Sequence, residues 1–511
     1  MLYAGPLIIP LLKLVESDPG FIVLYKGDGG LTAKELLVKS RNVAMALHLK
    51  GFQQTDVAVI AVQPGEEFLE IMYAVIMLRG KIAIIDPEMG RENYRAKMKQ
   101  LNPKWMFVDS RLLFLKEHPV LKASVLISKK MLPDISTVKG AVTISVGIKM
   151  PLWRKYLQFK QLLKTRIVPL DFAADEGFSE SLVVYTSGTL DVPKGVVHTG
   201  KSLDASIQCL GKLFEHNRNC IVGTYLPHFM MLGIAAGLPV KLMKPSMKPK
   251  TKIRFLKKES IGILFGPPTD YLPLIEFCER KKLLIPSGVQ HIMIGSAPVH
   301  PLFLKRLIRV LPAKTQISCT YGMTENLLVS VIDGRKKSQY TAQGDILGKP
   351  IDGVHVYIAN DGEICIKSEQ AFKRYFHETT TKEWHSTGDL GMMDECNNII
   401  LSGRKKEMII RRNMNIYPSL YENTIKHING VVEAAMVGIY VDVLHDEKVY
   451  LAVEGEHVDI PTVKKELCNG KFNIDKEALP DQIIKMVIPR KGRQHKIDRA
   501  GIIDYIQKNH L

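Results

Sequence analysis

The stretch Ser181–Gly195, SLVVYTSGTLDVPKG, concentrates residues that can hold a polyphosphate. An apolar run (Leu182, Val183, Val184) leads into a loop bearing the hydroxyls of Thr186, Ser187 and Thr189, with Gly188 among them and Lys194 at its end. Bare backbone N–H groups, hydroxyl donors and one ammonium are the groups that wrap phosphate oxygens. The pattern is not G-x-x-x-x-G-K-[ST], so it is not a Walker loop. Read alone, the same residues also suit a surface turn between two strands.

Seven further segments follow at increasing distance: GSAPV at Gly295–Val299, YGMTE at Tyr321–Glu325, GKPIDG at Gly348–Gly353, GEICI at Gly362–Ile366, STGDLG at Ser386–Gly391, GRKKEMII at Gly403–Ile410 and HKIDR at His495–Arg499. Together with Tyr185–Gly195 they resemble, in the same order, the signatures of the adenylate-forming superfamily, which includes acyl-CoA synthetases. The resemblance implies that Thr186, Ser187, Gly188, Thr189 and Lys194 hold the ATP phosphates. Gly295, Ser296 and Ala297 would pack on adenine with Tyr321 and Gly322. Thr324 would approach the α-phosphate, Glu325 would anchor magnesium, and Asp389 with Arg404 would hold the ribose hydroxyls. Lys406 takes the hinge position and Lys496 that of the catalytic lysine. The implied reaction is attack of a carboxylate on the α-phosphorus of ATP, then transfer of the acyl group to coenzyme A or to a carrier-protein phosphopantetheine. A compact ammonium suits the point where two anions meet.

Four departures bear on that implication. Leu190 and Asp191 replace a hydroxyl and a glycine in the phosphate loop, which weakens the expected hold on ATP. Met230 stands at a histidine position beside the acyl pocket, favouring a flexible apolar wall, and His228 reads as a packing histidine. Arg411, Arg412, Asn413 and Met414 replace a glycine-bearing segment on the pantetheine path. His495 precedes Lys496 where the family has glycine, leaving Lys491 as a competitor. Two alternatives to a thiol ligase therefore stand: a β-lactone synthetase-like enzyme without a thiol step, and a degenerate nucleotide-binding homologue.

The elements that must position these groups alternate between strand and helix. Residues 31–49 carry helical spacing behind a Thr32 cap, Asp56–Ala61 reads as a strand, Phe68–Leu78 as a helix, and Lys81–Asp86 and Trp105–Asp109 as strands. After residue 200 the rhythm returns with strands at Cys220–Tyr225, Ile261–Phe265, His291–Ile294 and Ile317–Tyr321. Residues 351–367 switch to short strands and turns. From residue 420 a helix (420–427), strands 432–440 and 448–453, a helix (461–468) and a strand (483–488) make a compact unit. The expected fold is α/β: a large multi-subdomain N-terminal part of two α/β layers plus a small β-barrel, with a mobile C-terminal α+β lid. The expected divisions are 1–404 for AMP binding, 405–411 for the hinge and 412–511 for the lid. Walls of the acyl pocket are expected from Phe229–Val240, Ile294–Ala297 and Cys319–Gly322, mostly small and apolar, which suggests a fatty or aromatic acid.

The 511 residues allow about three domains' worth of chain, and 46% hydrophobic with 24% charged residues excludes a disordered chain. Seven scattered cysteines, never in C-x-x-C spacing, argue against a disulfide framework or zinc ribbon. No secretory signal or spanning segment is read, so the protein is expected in the cytoplasm. The formal charge of +18 lies almost wholly before residue 405, and Lys241–Lys258 holds eight basic residues and no acid. That stretch and Trp153–Arg166 read first as solvated surface. For 153–166 a basic amphipathic helix on anionic lipid is the second reading. The expected partners are a small carboxylic acid, a carrier protein and an anionic membrane surface, without nucleic acid.

Overall fold

The computed structural model describes the chain apart from residues 1, 28, 86–90, 118–137, 149–154, 166–171, 178, 186–193, 246, 380–381, 412–413, 442–445, 470–473, 475–477, 492–495 and 511. Among the described residues two large sheets carry most of the chain, with eight and thirteen strands. The first has the strands Lys81–Ile84, Val57–Ala61, Trp105–Asp109 and Val142–Val146 side by side and parallel, with Val59 facing both Ala83 and Met106. Their central residues are apolar and buried on both faces, as in strands covered by helices. At one edge the pattern changes: Glu180–Tyr185 and Gly195–Thr199 form an antiparallel hairpin in which Tyr185 pairs with Gly195. The phosphate loop read from the sequence is therefore the connection of that hairpin. The short strand Arg374–Tyr375 lies against its second arm, with Tyr375 opposite Val196. Glu180 fastens this edge: Arg374 grips its carboxylate at 2.8 and 2.9 Å and Lys81 reaches it at 2.8 Å. Burial would raise the Glu180 carboxyl, but these cations outweigh it and hold it at about 2.

The second sheet is parallel through Val240–Leu242, Ile221–Thr224, Ile261–Gly266, His291–Ile294 and Gln316–Met323. It continues antiparallel through Asn326–Asp333 and Asp345–Pro350 into Ile399–Arg404, His385–Met393, Glu363–Ser368 and Val354–Ile358. This last group surrounds its own apolar core of Leu347, Ile364, Ile366 and Ile399, the barrel-like part expected from residues 351–367. Between the two sheets lie the helices Ala33–Leu49 and Glu66–Met77. The first begins at Thr32 as expected, with Oγ1 accepting from the Glu35 N–H (3.2 Å) and the Glu35 carboxylate accepting from the Thr32 N–H (3.0 Å), a capping box. The second is buried at every residue from Phe68 to Met77, as expected of a helix packed on all sides.

Outside the second sheet, the helices Pro249–Lys258, Pro268–Lys281 and Pro301–Arg309 cover a separate core built on Leu256, Ile275, Leu304 and Leu307. Two members of the basic run are structural. Lys241 is buried against Glu259 (2.5 Å) and donates to the Gly27 carbonyl, and Lys252 donates to the Asp270 carbonyl at 2.9 Å. The second reading of 153–166 does not hold over its described part: Leu157–Gln158 is an edge strand of the first sheet, Phe159 and Leu162 are buried, and Lys155 and Tyr156 both bond Glu117. Its apolar side chains are spent on the protein's own core.

The C-terminal residues form a three-stranded sheet of Glu433–Val441, Asp446–Glu454 and Gln482–Lys485, flanked by the helices Pro418–Ile425, Ile460–Cys468 and Arg499–Asn509. The first helix starts two residues earlier than expected because Pro418, lacking an N–H, suits an opening turn. The last strand stops at Lys485, where the expected strand runs to Ile488; the Ile488 N–H instead donates to the Glu454 carboxylate (3.2 Å).

Candidate active site

The parallel strands of the second sheet end at Gly295 and Tyr321, and open α/β sheets bind ligands beyond such ends. Gly295 is required by proximity: a Cβ there would meet Thr320 Oγ1 at 2.3 Å. Ser296 follows with φ of +65°, a left-handed backbone that a serine rarely adopts. The segment from Gly295 to Ala297 is thus pressed against the strand that carries Tyr321. Gly322 admits no side chain either, since its Cβ would lie 2.0 Å from the Leu327 carbonyl oxygen across the tight hairpin 316–333.

Beyond that hairpin turn sits the first cluster. The Tyr375 hydroxyl donates to Glu325 Oε1 at 2.9 Å, and the Lys194 ammonium lies 5.1 Å from the centroid of the Tyr375 ring. The Glu325 carbonyl accepts from the Phe372 N–H (2.7 Å), so both its backbone and its side chain are held by the segment 372–375. Thr324 is fixed through its carbonyl, which accepts from His198 Nε2 at 2.8 Å. A carbonyl only accepts, so the proton sits on Nε2 and Nδ1 faces Ser202 Oγ (3.2 Å) unprotonated. Burial pushes His198 down from its ordinary value, consistent with a neutral ring.

The second cluster lies at the barrel-like module. The Tyr321 hydroxyl donates to Asp389 Oδ2 (2.7 Å) and Arg404 Nε pairs with Asp389 Oδ1 (2.8 Å), Asp389 and Arg404 being opposite each other on adjacent strands. Burial pushes the Asp389 carboxyl up, while Arg404 and Tyr321 oppose the shift. Lys496, on the short strand Lys496–Ile497, faces this group. Desolvation and the Arg404 guanidinium push its ammonium down, and Asp389 and Glu407 oppose them. The competing Lys491 is committed elsewhere, to Asp498 at 3.0 Å.

The structure thus gathers Lys194, Gly295, Ser296, Ala297, Tyr321, Gly322, Thr324, Glu325, Asp389, Arg404 and Lys496 along the sheet ends. Thr186, Ser187, Gly188 and Thr189 lie outside the described residues, as do Leu190, Asp191, Arg412, Asn413 and His495. Met230 is wholly buried in the core between the sheets, and half-buried His228 meets Phe265 edge-on at 6.5 Å. Burial lowers His228 to about 4, which fits a packing histidine. Among the described residues no group of three or more His, Cys, Asp or Glu side chains could hold a metal by itself.

Near the expected hinge, Lys405 bonds Asp361 (2.6 Å) and Glu363 (2.9 Å), whereas Glu407 pairs with Arg499 at 3.0 Å. Lys406 stands between these two attachments. Sequence reasoning did not single out Tyr375, His198 or Lys405. Tyr375 and His198 reach their partners from 50 and 126 residues away, so no local spacing marks them.

The comparisons with known proteins agree with this geometry. Naringenin synthase of Pestalotiopsis fici is 26% identical over 93% of this chain, which spans only 18% of that protein's length. A putative acyl-CoA ligase of Bacillus subtilis, YdaB, is 26% identical over 83% of this chain and 84% of its own. The fold matches that of ATP-bound MatB from Rhodopseudomonas palustris with a TM-score of 0.79, at 18% identity over 99% of this chain and 100% of that one. The model of the AMP-binding enzyme family matches residues 13–376, most of the two large sheets. The chain belongs to the AMP-binding enzyme family.

Proposed function

We propose that the chain is an ATP-dependent acid–thiol ligase that activates a fatty or other apolar carboxylic acid. The carboxylate oxygen attacks the α-phosphorus, an acyl–O–P bond forms and the bond to pyrophosphate breaks. The thiol of coenzyme A or of a carrier protein then attacks the acyl carbon, a C–S bond forms, the acyl C–O bond breaks, and AMP and the thiol proton are released. The observation that carries the reading is the alignment of Lys194 with Glu325 at one end of the site and Lys496 with Asp389 and Arg404 at the other.

In this reading Lys194 and the hydroxyl loop hold the β- and γ-phosphates, and the Asp389–Arg404 pair takes the ribose hydroxyls. Lys496 offsets the repulsion between carboxylate and α-phosphate as the bond forms. Glu325 fits a magnesium site shared with substrate phosphates: Oε1 is engaged by Tyr375, and Oε2 makes no bond among the described residues. Bound magnesium would neutralise charge on the leaving pyrophosphate. The division into an AMP-binding part (1–404), a hinge (405–411) and a lid (412–511) completes the reading, with Lys496 supplied by the lid. For the acid, support comes from the apolar ring pair Phe229–Phe265, stacked at 4.4 Å beside a neutral His228.

Incubation with ATP, magnesium and a panel of acids should release pyrophosphate fastest with apolar acids and consume one thiol per turnover. No release with any acid, while ATP still binds, would sink the reading in favour of a degenerate homologue; release without thiol consumption would favour lactone formation. A second expected result concerns Tyr375→Phe, which deletes only the hydroxyl that holds Glu325. A hydrogen bond to a charged group contributes roughly 1.5–3 kcal/mol, so ATP affinity in the presence of magnesium should fall about tenfold or more. Equilibrium ATP binding with and without magnesium checks this; an equal loss in both conditions would mean that the hydroxyl does not act through Glu325.

A further inference from the structure

We infer that the outer helical layer of the second sheet is a docking surface for an anionic lipid bilayer. The three helices Pro249–Lys258, Pro268–Lys281 and Pro301–Arg309 each join successive strands of a parallel set, so they run the same way. Their C-terminal ends emerge together at one edge of the sheet, opposite the ends that carry Gly295 and Tyr321. The Ile285 N–H donates to the Val310 carbonyl (2.8 Å), which ties the segment after the second helix to the end of the third.

That edge is densely cationic. Lys257, Lys258, Arg280, Lys281, Lys282 and Arg309 are all exposed there. On the first helix, Lys250, Arg254, Lys257 and Lys258 follow i, i+4, i+7, i+8 spacing and share the face turned away from buried Leu256. Among the described residues, Lys258 alone of those four has a carboxylate within reach, Glu259 at 4.0 Å. Of the acids on the second helix, Glu279 is already gripped by Arg306 (2.6 and 3.1 Å), and Glu276 is exposed one turn before Arg280. This layer therefore holds a large share of the positive charge that the proposed catalysis does not use.

Basic residues in a last helical turn complement the helix dipole, which accounts for some of them. It does not account for Leu283 and Leu284, consecutive, 46% and 58% exposed, at the tip of the same edge directly after Lys281 and Lys282. A nucleic acid or an acidic protein would be met by the cations alone. Cations around apolar side chains that can enter the headgroup boundary match an anionic membrane surface. Docked by this edge, the protein would keep its candidate active site turned away from the lipid. The inference does not depend on which acid is activated.

Co-sedimentation of the full chain with vesicles tests it. Binding to phosphatidylcholine vesicles containing roughly 30 mol% phosphatidylserine should exceed binding to phosphatidylcholine alone by about tenfold or more, and should weaken as salt rises. Lys281→Glu with Lys282→Glu should remove the preference. Leu283→Ser with Leu284→Ser should reduce binding at least about threefold with the charge unchanged. Both variants should keep wild-type melting temperature and pyrophosphate release, because none of these residues approaches the candidate site. Equal or absent binding to the two vesicle types overturns the inference. So does a leucine variant that binds like wild type, which would assign the surface to an acidic protein or nucleic acid.

Discussion

Replacing Lys496 by alanine should slow pyrophosphate release roughly 100- to 1,000-fold while leaving ATP binding nearly intact. Lys496 is itself exposed, yet its ammonium is pushed down from its ordinary value by partial desolvation and the Arg404 guanidinium, with Asp389 and Glu407 opposing. A positive charge set beside a guanidinium is useful chiefly when a second anion arrives next to phosphate, and such a group stabilises the transition state more than the bound nucleotide. Single-turnover pyrophosphate release and equilibrium ATP binding, measured on the same preparation, separate the two effects. A variant that turns over at the wild-type rate would remove Lys496 from the mechanism. A variant whose ATP affinity falls as steeply as its rate would make it a nucleotide-binding residue instead.

The second large effect is expected at Arg499, which does no chemistry in this reading. Its guanidinium donates to both oxygens of buried Glu422 (2.6 and 2.9 Å) and to the Met436 carbonyl (2.9 Å), and its Nε pairs with Glu407 at 3.0 Å. Arginine suits the place because its rigid fork fills a bidentate site that a lysine would fill singly. Arg499→Ala would leave the buried Glu422 carboxylate, in the interior of the C-terminal unit, with only the Met436 N–H (2.7 Å) as a partner among the described residues. Breaking a buried pair from one side costs about 3–5 kcal/mol, so that unit should unfold at markedly lower urea concentration than in the wild type. A loss below about 1 kcal/mol would mean that the Met436 N–H and solvent suffice to hold the Glu422 carboxylate once the arginine is gone. Adenylation and unfolding should respond oppositely in the two variants: Lys496→Ala silences chemistry at unchanged stability, and Arg499→Ala weakens the fold that presents Lys496.

Much of this was legible in the chain because the relevant signals are local. A capping box over four residues and a strand of five aliphatic residues both reveal themselves within a short window, and the helix at Ala33 and the strand at Val57 follow from such windows. The same holds for Asp389 and Arg404, each set in a recognisable short motif. What the sequence hid depends on contacts between distant segments. Tyr375 lies in an unremarkable FKRYF stretch and matters only because its strand pairs with the arm leaving the phosphate loop. His198 looks like any polar residue at a strand end until the turn bearing Thr324 closes over it. The membrane reading of residues 153–166 does not hold over its described part for the same reason: amphipathic spacing reports that a face will be buried, not what will bury it. Charge misled similarly, since Lys241 and Lys252 count toward a basic surface yet serve the interior.

The attachments around Lys406 set the mechanics of any motion between the two parts of the chain. Lys405 is moored to Asp361 and Glu363 on the barrel-like side, and Glu407 to Arg499 on the C-terminal side. In the proposed hinge, torsion between the parts would therefore fall on the few backbone dihedrals around residue 406, as in a swivel, and not along a loose tether. If the proposed hinge turns there, a swivel would confine the C-terminal unit to a narrow arc, and little orientational entropy would be surrendered as Lys496 reaches the proposed site.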